Sequence, residues 1–249
     1  MKQLIVILLM VLSVFGANIP KNFDKAKEMS IRLYHTNHLL TFYTNTELEA
    51  TVRIRSKMFP KKSTLSLRLD LVDNPYYGTK YKKRGETVEW EHITPASWFK
   101  SANQEIFNAW ELGNEQCVTR KGNVYKGRKC AQKVSKLFNL MEADMYNLVP
   151  VIGALNAMRS DKEFGIIEGE KREFGNIDIE INKSTIEVSE NKRGDVARVL
   201  LYMNDTYGVQ FPNHSETLQM LYSWNFNDPE DEWEVKKKKL LTKHYNMIF

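Results

Sequence analysis

The stretch Val88-Glu89-Trp90-Glu91-His92-Ile93-Thr94-Pro95-Ala96 is a short β-favouring run that stops at a proline and carries Glu-His at its end. Pro95 cannot donate to a strand ladder and limits how the chain turns away. Neighbouring residues on a strand point to opposite faces, so Glu91 and His92 can serve one site only where the strand ends or bends. A glutamate offers hard oxygen to a cation such as Mg²⁺, and a histidine can take a proton from water. The dipeptide by itself is a weak signal, and it is not the HExxH zinc pattern.

Downstream, Leu140-Met141-Glu142-Ala143-Asp144-Met145-Tyr146-Asn147-Leu148-Val149-Pro150 reads as a helix. Leu137, Leu140, Met141, Met145 and Leu148 keep helical spacing until Pro150, which places Asn147 in the last turn. There it could merely end the helix or present its amide to a site. Around these segments helix and strand signals mix, as in an α+β chain. A helix is expected from near Asn22, with Ala26, Met29 and Leu33 on one face. Alternating strands are expected at Ala50, Val52 and Ile54 and at Leu65 to Leu71. A hairpin is expected from Ile177, Ile179 and Ile181 through Asn182-Lys183 to Ile186 and Val188. A helix from Asp195 as N-cap to Tyr207 ends at Gly208. The stretch Glu230 to Tyr245 permits a helix, and its Lys236 to Lys239 run reads as a solvated face.

The chain has 249 residues, 27% charged and 42% hydrophobic, with a formal net charge of +5. That is ordinary globular composition, and no repeat or linker marks a boundary, so one domain is expected. The positive balance suits polyanionic partners without identifying one. Lys2, the apolar run Leu4 to Val14 and the small residues Gly16 and Ala17 have the layout of a secretory signal peptide. The apolar run is too short to span a bilayer, so residues 1–17 are expected to be a leader and residues 18–249 a mature chain free of membrane. The leader holds one lysine and no acid, leaving about +4. The only cysteines are Cys117 and Cys130. In an exported chain they are expected to pair. The rival is a two-cysteine metal site, although no CxxC or companion histidine lies near them. His35 and His38 lack an evident third metal ligand, and Lys61-Lys62 and Lys80 to Arg84 could be either phosphate contacts or solubility features.

The blocks Trp90 to Ala96, Gly127-Arg128-Lys129-Cys130 and Glu142 to Leu148 resemble, in that order, the motifs of bacterial endonuclease I. Gly194 to Arg198, Tyr202-Met203, Tyr207-Gly208, Trp224-Asn225 and Asp228 to Glu234 are similar to that family as well. The resemblance implies a ββα-metal (His-Me finger) core surrounded by helices. His92 would then be the general base that activates water, Glu91 and Asn147 the protein ligands of one Mg²⁺, for which Mn²⁺ or Ca²⁺ could substitute, and Arg128 a donor to the phosphate. It also implies a monomeric periplasmic or secreted endonuclease that cuts DNA non-specifically and leaves 5′-phosphates, with RNA open as a second substrate. Departures are visible. Thr44 and Thr46 stand where the family has further cysteines, Tyr146 replaces a histidine, and Asn156 to Asp161 keeps only Asn156, Arg159 and Ser160 of an Asn-Gly-Asp-Arg-Ser-Asn-like stretch.

Two other classes compete. A non-catalytic nucleic-acid-binding or uptake protein would need the basic surface but not His92. A metal-dependent phosphatase would want more carboxylate and histidine ligands than this chain gathers.

Overall fold

A computed structural model describes residues 20–45, 48–53, 64–69, 81–85, 87–169, 174 and 177–249. The expected leader, Ile54, Lys61-Lys62, Leu71 and Lys80 lie outside the described residues. The chain mixes helices with short strands, as the α+β expectation holds, and it divides into two compact units. One comprises the chain up to Ala26, His92–Asn147 and Gly194–Phe249; the other comprises Lys27–Glu91 and Leu148–Arg193.

In the second unit, β1 (Leu48–Arg53) pairs antiparallel with β2 (Thr64–Leu69). The short helix α2 (Lys82–Gly85) precedes β3 (Val88–His92), whose sheet partner is β4 (Leu148–Ile152). Gly153 N–H donates to the Thr87 carbonyl at one end of the pair, and Ile93 N–H donates to the Asn147 carbonyl at the other, so the strands run antiparallel. β4 leads directly into α6 (Gly153–Arg159), which completes a strand–strand–helix succession. Gly153 is required at that corner: a Cβ there would lie 2.8 Å from Glu89 Oε1 and 2.7 Å from the Arg84 carbonyl oxygen. β5 (Glu163–Phe164), β6 (Ile179–Ile181) and β7 (Thr185–Val188) form a three-stranded sheet with β7 in the centre. The expected hairpin is β6–β7, closed by Asn182, whose side chain accepts from the Ser184 and Thr185 amides.

The first unit is mainly helical. It holds a 3₁₀ turn (Trp98–Ser101), α3 (Gln104–Glu111), α4 (Arg128–Val134), α5 (Lys136–Ala143), α8 (His214–Asn227) and α9 (Glu232–Tyr245). α1 (Phe23–Thr36) begins in this unit, and α7 (Glu190–Tyr207) ends in it. Its core gathers Phe99, Ile106, Phe138, Met141 and Met203 with the cystine Cys117–Cys130. Phe99 meets Phe138 edge-on at 5.7 Å, so burial of these rings welds the 3₁₀ turn to α5.

Two helix expectations are corrected. The helix read through Asn147 ends at Ala143. Asp144 then takes the Tyr146 amide on its own carboxylate (2.9 Å), a local turn that competes with further helix. Pro150 lies inside strand β4 instead of ending a helix, and its carbonyl accepts the Phe42 amide at 2.9 Å. The helix expected to start at Asp195 starts at Glu190, and Asp195 is buried within it beside Arg198.

Candidate functional site

β3 delivers Glu91 and His92 as its last two residues, and both side chains are buried. In the first unit, His92 Nε2 lies 2.8 Å from the Glu142 carbonyl oxygen. A carbonyl can only accept, so Nε2 carries the hydrogen and Nδ1 is the ring's lone-pair nitrogen. Phe23 packs on the imidazole at 4.8 Å, and Phe99 meets it edge-on at 6.0 Å. The ring is thereby held in plane and in tautomer.

Glu142 has a second function. Its buried carboxylate accepts from Arg128 Nε at 2.5 Å and from the Gln132 amide at 2.9 and 2.8 Å. The Arg128 guanidinium lies over the Phe23 ring at 5.2 Å, and its Nη2 has no hydrogen-bond partner. His92, Glu142, Arg128 and Phe23 therefore form one connected group. Nothing in the local sequence tied Glu142 or Phe23 to His92, because Glu142 is 50 residues from the histidine and Phe23 is 69.

Asn147 is placed two ways on Thr94. Its Oδ1 accepts the Thr94 amide at 2.7 Å, and its Nδ2 donates to the Thr94 carbonyl at 3.0 Å. This pair of hydrogen bonds between the side-chain amide and the backbone fixes the turn that follows His92. Tyr146, the residue before it, offers its carbonyl to Lys237 Nζ at 2.8 Å. Lys237 is fully buried in α9, and burial pulls its pKa down to about 7.

In the second unit, Glu91 Oε1 accepts from the Tyr43 hydroxyl at 2.9 Å and lies 3.3 Å from the Arg159 guanidinium, which is itself buried. Burial pushes the Glu91 pKa up; Arg159 and Tyr43 pull it back. Oε2 is buried with no partner. An unsatisfied buried carboxylate oxygen is the type of atom a hard cation takes, so Glu91 fits a divalent ion. Asn156 and Arg159 sit three apart on α6, which puts them on one face. Asn156 Nδ2 donates to Glu89 Oε2 at 2.8 Å, its own Oδ1 makes no hydrogen bond among the described residues, and Glu89 and Glu91 share a face of β3. Asparagine on the helix of the strand–strand–helix succession is therefore Asn156, and Asn147 lies outside any helix.

The residue pattern, in chain order, is matched by the family Endonuclease I over residues 22–246. The chain belongs to the endonuclease I family. Similar proteins include an extracellular deoxyribonuclease of Aeromonas hydrophila, 30% identical over 90% of this chain and 85% of the relative. A periplasmic deoxyribonuclease of the same organism is 27% identical over 90% and 81%. Endonuclease-1 of Buchnera aphidicola is 27% identical over 92% and 79%. Family membership implies a divalent metal without indicating which one.

A second acidic group does not serve that need. Asp195, Asp231 and Glu234 lie close together. However, Arg198 pairs with Asp195 at 3.3 Å and with Glu234, while Asp231 caps α9 through the Glu234 amide at 2.8 Å. The cysteines expected to pair do so, with Cα atoms 5.5 Å apart, which removes the two-cysteine metal reading. Among the described residues, no helix is long and apolar enough to cross a membrane.

Proposed function

We propose that residues 18–249 act as an exported, monomeric endonuclease, periplasmic or secreted, that hydrolyses phosphodiester bonds of DNA, and of RNA where it meets it, leaving 5′-phosphate ends. The observation that carries this reading is the 2.8 Å contact from His92 Nε2 to the Glu142 carbonyl. It leaves Nδ1 as the nitrogen that removes a proton from the attacking water, with the ring already oriented for transfer. Arg128 is the phosphate donor: Nε is fixed by Glu142, and Nη2 supplies the hydrogen bond that an anionic oxygen would satisfy.

Mg²⁺, with Mn²⁺ or Ca²⁺ as substitutes, would be held at Glu91 Oε2 and would supply neutralising charge for the phosphate and the leaving oxygen. Two asparagines compete as the amide ligand. The family resemblance favours Asn147, whose oxygen already accepts one amide and keeps one lone pair. The helix geometry favours Asn156, with an oxygen that makes no hydrogen bond among the described residues, and leaves Asn147 to brace Thr94. Relatives named extracellular and periplasmic deoxyribonucleases support DNA as the substrate and export as the route. Backbone-directed contacts carry no base information, which supports low sequence preference.

The test is plasmid DNA incubated with purified protein and Mg²⁺, beside His92→Ala and an EDTA control, with end-group analysis of the products. Nicking by the parent alone, with 5′-phosphates, supports the reading. Equal DNA binding by both proteins with no cutting by either would replace it with the non-catalytic one.

A further inference from the structure

The net charge of the chain is concentrated in one place. Residues 115–136 carry seven cations against one acid, Glu115, a net +6, while the whole chain is +5; everything else sums to −1. This segment contains the cystine-closed loop Cys117 to Cys130 and all of α4.

The loop has a defined shape. Val118 bridges Val124, the Gly122 amide donates to the Thr119 carbonyl at 3.0 Å, and the Tyr125 amide donates to the Cys117 carbonyl at 2.7 Å. Arg120 and Lys121 are therefore the two central residues of a tight turn at the loop's tip, and Gly122 takes the positive φ of +82° that ends it. Lys126 and Lys133 are tied down on the Glu111 and Gln116 carbonyls. Arg120, Lys121, Lys129 and Lys136 are exposed, and among the described residues their side chains make no hydrogen bond or ion pair. The same loop supplies Arg128, which Glu142 joins to His92.

Resting on the nuclease reading, we infer that the cystine-closed loop is the surface that grips the phosphate backbone of duplex DNA flanking the bond to be cut. Cations without acidic partners suit a polyanion, because each phosphate contact releases condensed counterions. The surface suits a duplex better than a single strand. Single-strand surfaces interleave cations with exposed rings for base stacking. The loop's one aromatic residue, Tyr125, instead packs against the core. The cystine holds the tip in shape before DNA arrives, so less ordering is needed on binding.

The deciding variant is Arg120→Gln/Lys121→Gln/Lys129→Gln, which spares His92, Arg128 and both cysteines. Binding of a 30-base-pair duplex in EDTA is followed by fluorescence anisotropy over a salt series, and steady-state cutting of the same duplex is followed with Mg²⁺. The plot of log affinity against log salt is expected to flatten by roughly 2 to 3, since each lost phosphate contact removes about 0.9. KM for the duplex should rise about tenfold or more, with kcat within about twofold of the parent. A variant with the parent's salt slope and KM overturns the surface while leaving the nuclease standing. A loss confined to single-stranded oligothymidylate overturns the duplex assignment. A parent that neither binds nor cuts DNA removes the reading on which the surface rests.

Discussion

The imidazole of His92 and the main-chain carbonyl of Glu142 meet at 2.8 Å across 50 residues of sequence. Because the partner is a carbonyl, the contact sets which ring nitrogen is basic without adding charge nearby. His92→Ala should reduce turnover by roughly 10² to 10⁴, the usual contribution of general-base catalysis. Affinity for duplex DNA in EDTA should stay within about threefold. A residual rate near the parent's would assign the proton to another group.

The two asparagines can be separated by thermal melts with and without Mg²⁺. A ligand that binds only the native state raises stability by about 2.7 kcal/mol at one hundred times its dissociation constant. Glu91→Gln and Asn156→Ala should abolish the Mg²⁺-induced rise. Asn147→Ala should keep it, while its metal-free stability falls by about 1 to 3 kcal/mol for the two bonds lost at Thr94. The opposite assignment of the two variants would return the ligand role to Asn147.

The cystine closes a loop of sequence separation 13. In the chain-entropy account such a closure is worth about 3 kcal/mol. Cys117→Ser/Cys130→Ser should melt lower by several degrees, and reductant should do the same to the parent and leave the variant unchanged. Mass spectrometry of the untreated parent should find no alkylatable thiol. A parent melt unaffected by reductant would contradict a stabilising bridge.

Lys237 predicts an unusual pH dependence. Its folded pKa is about 7 against an ordinary 10.5, with burial as the main cause. Between those values the unfolded chain binds the extra proton, so stability rises with pH through the window. The melting temperature should therefore climb from pH 7.5 to 9. Lys237→Met should flatten that climb, and a variant that keeps the parent's slope would rule Lys237 out as its source.

Local signals carried the sequence reading where structure is local. The end of β3 at His92, the hairpin from Ile179 to Val188 and the helix starting beside Asn22 all follow from turn and periodicity cues. The error near Asn147 has a physical cause. Leu137, Leu140, Met141 and Met145 keep helical spacing, but Leu148 to Ile152 is a continuous buried run, which periodicity cannot assign to helix or strand. Asp144 decides the matter: its carboxylate also collects the Tyr202 and Tyr207 hydroxyls from α7, about 60 residues away. The same holds for Asp195, which reads as a cap but serves Arg198. Tyr43, Arg159, Glu142 and Phe23 were illegible as site residues because each acts through a partner distant in sequence.

Residue 142 contributes through two chemically independent groups, and only one is encoded by its side chain. Glu142→Gln or Glu142→Ala would loosen the guanidinium of Arg128 and the amide of Gln132, yet the oxygen facing His92 would remain whatever amino acid stood there. Mutational scanning at this position thus reports on anion handling alone. The histidine's anchor is invisible to such scans and yields only to changes that displace the peptide plane itself, such as an insertion or deletion in α5.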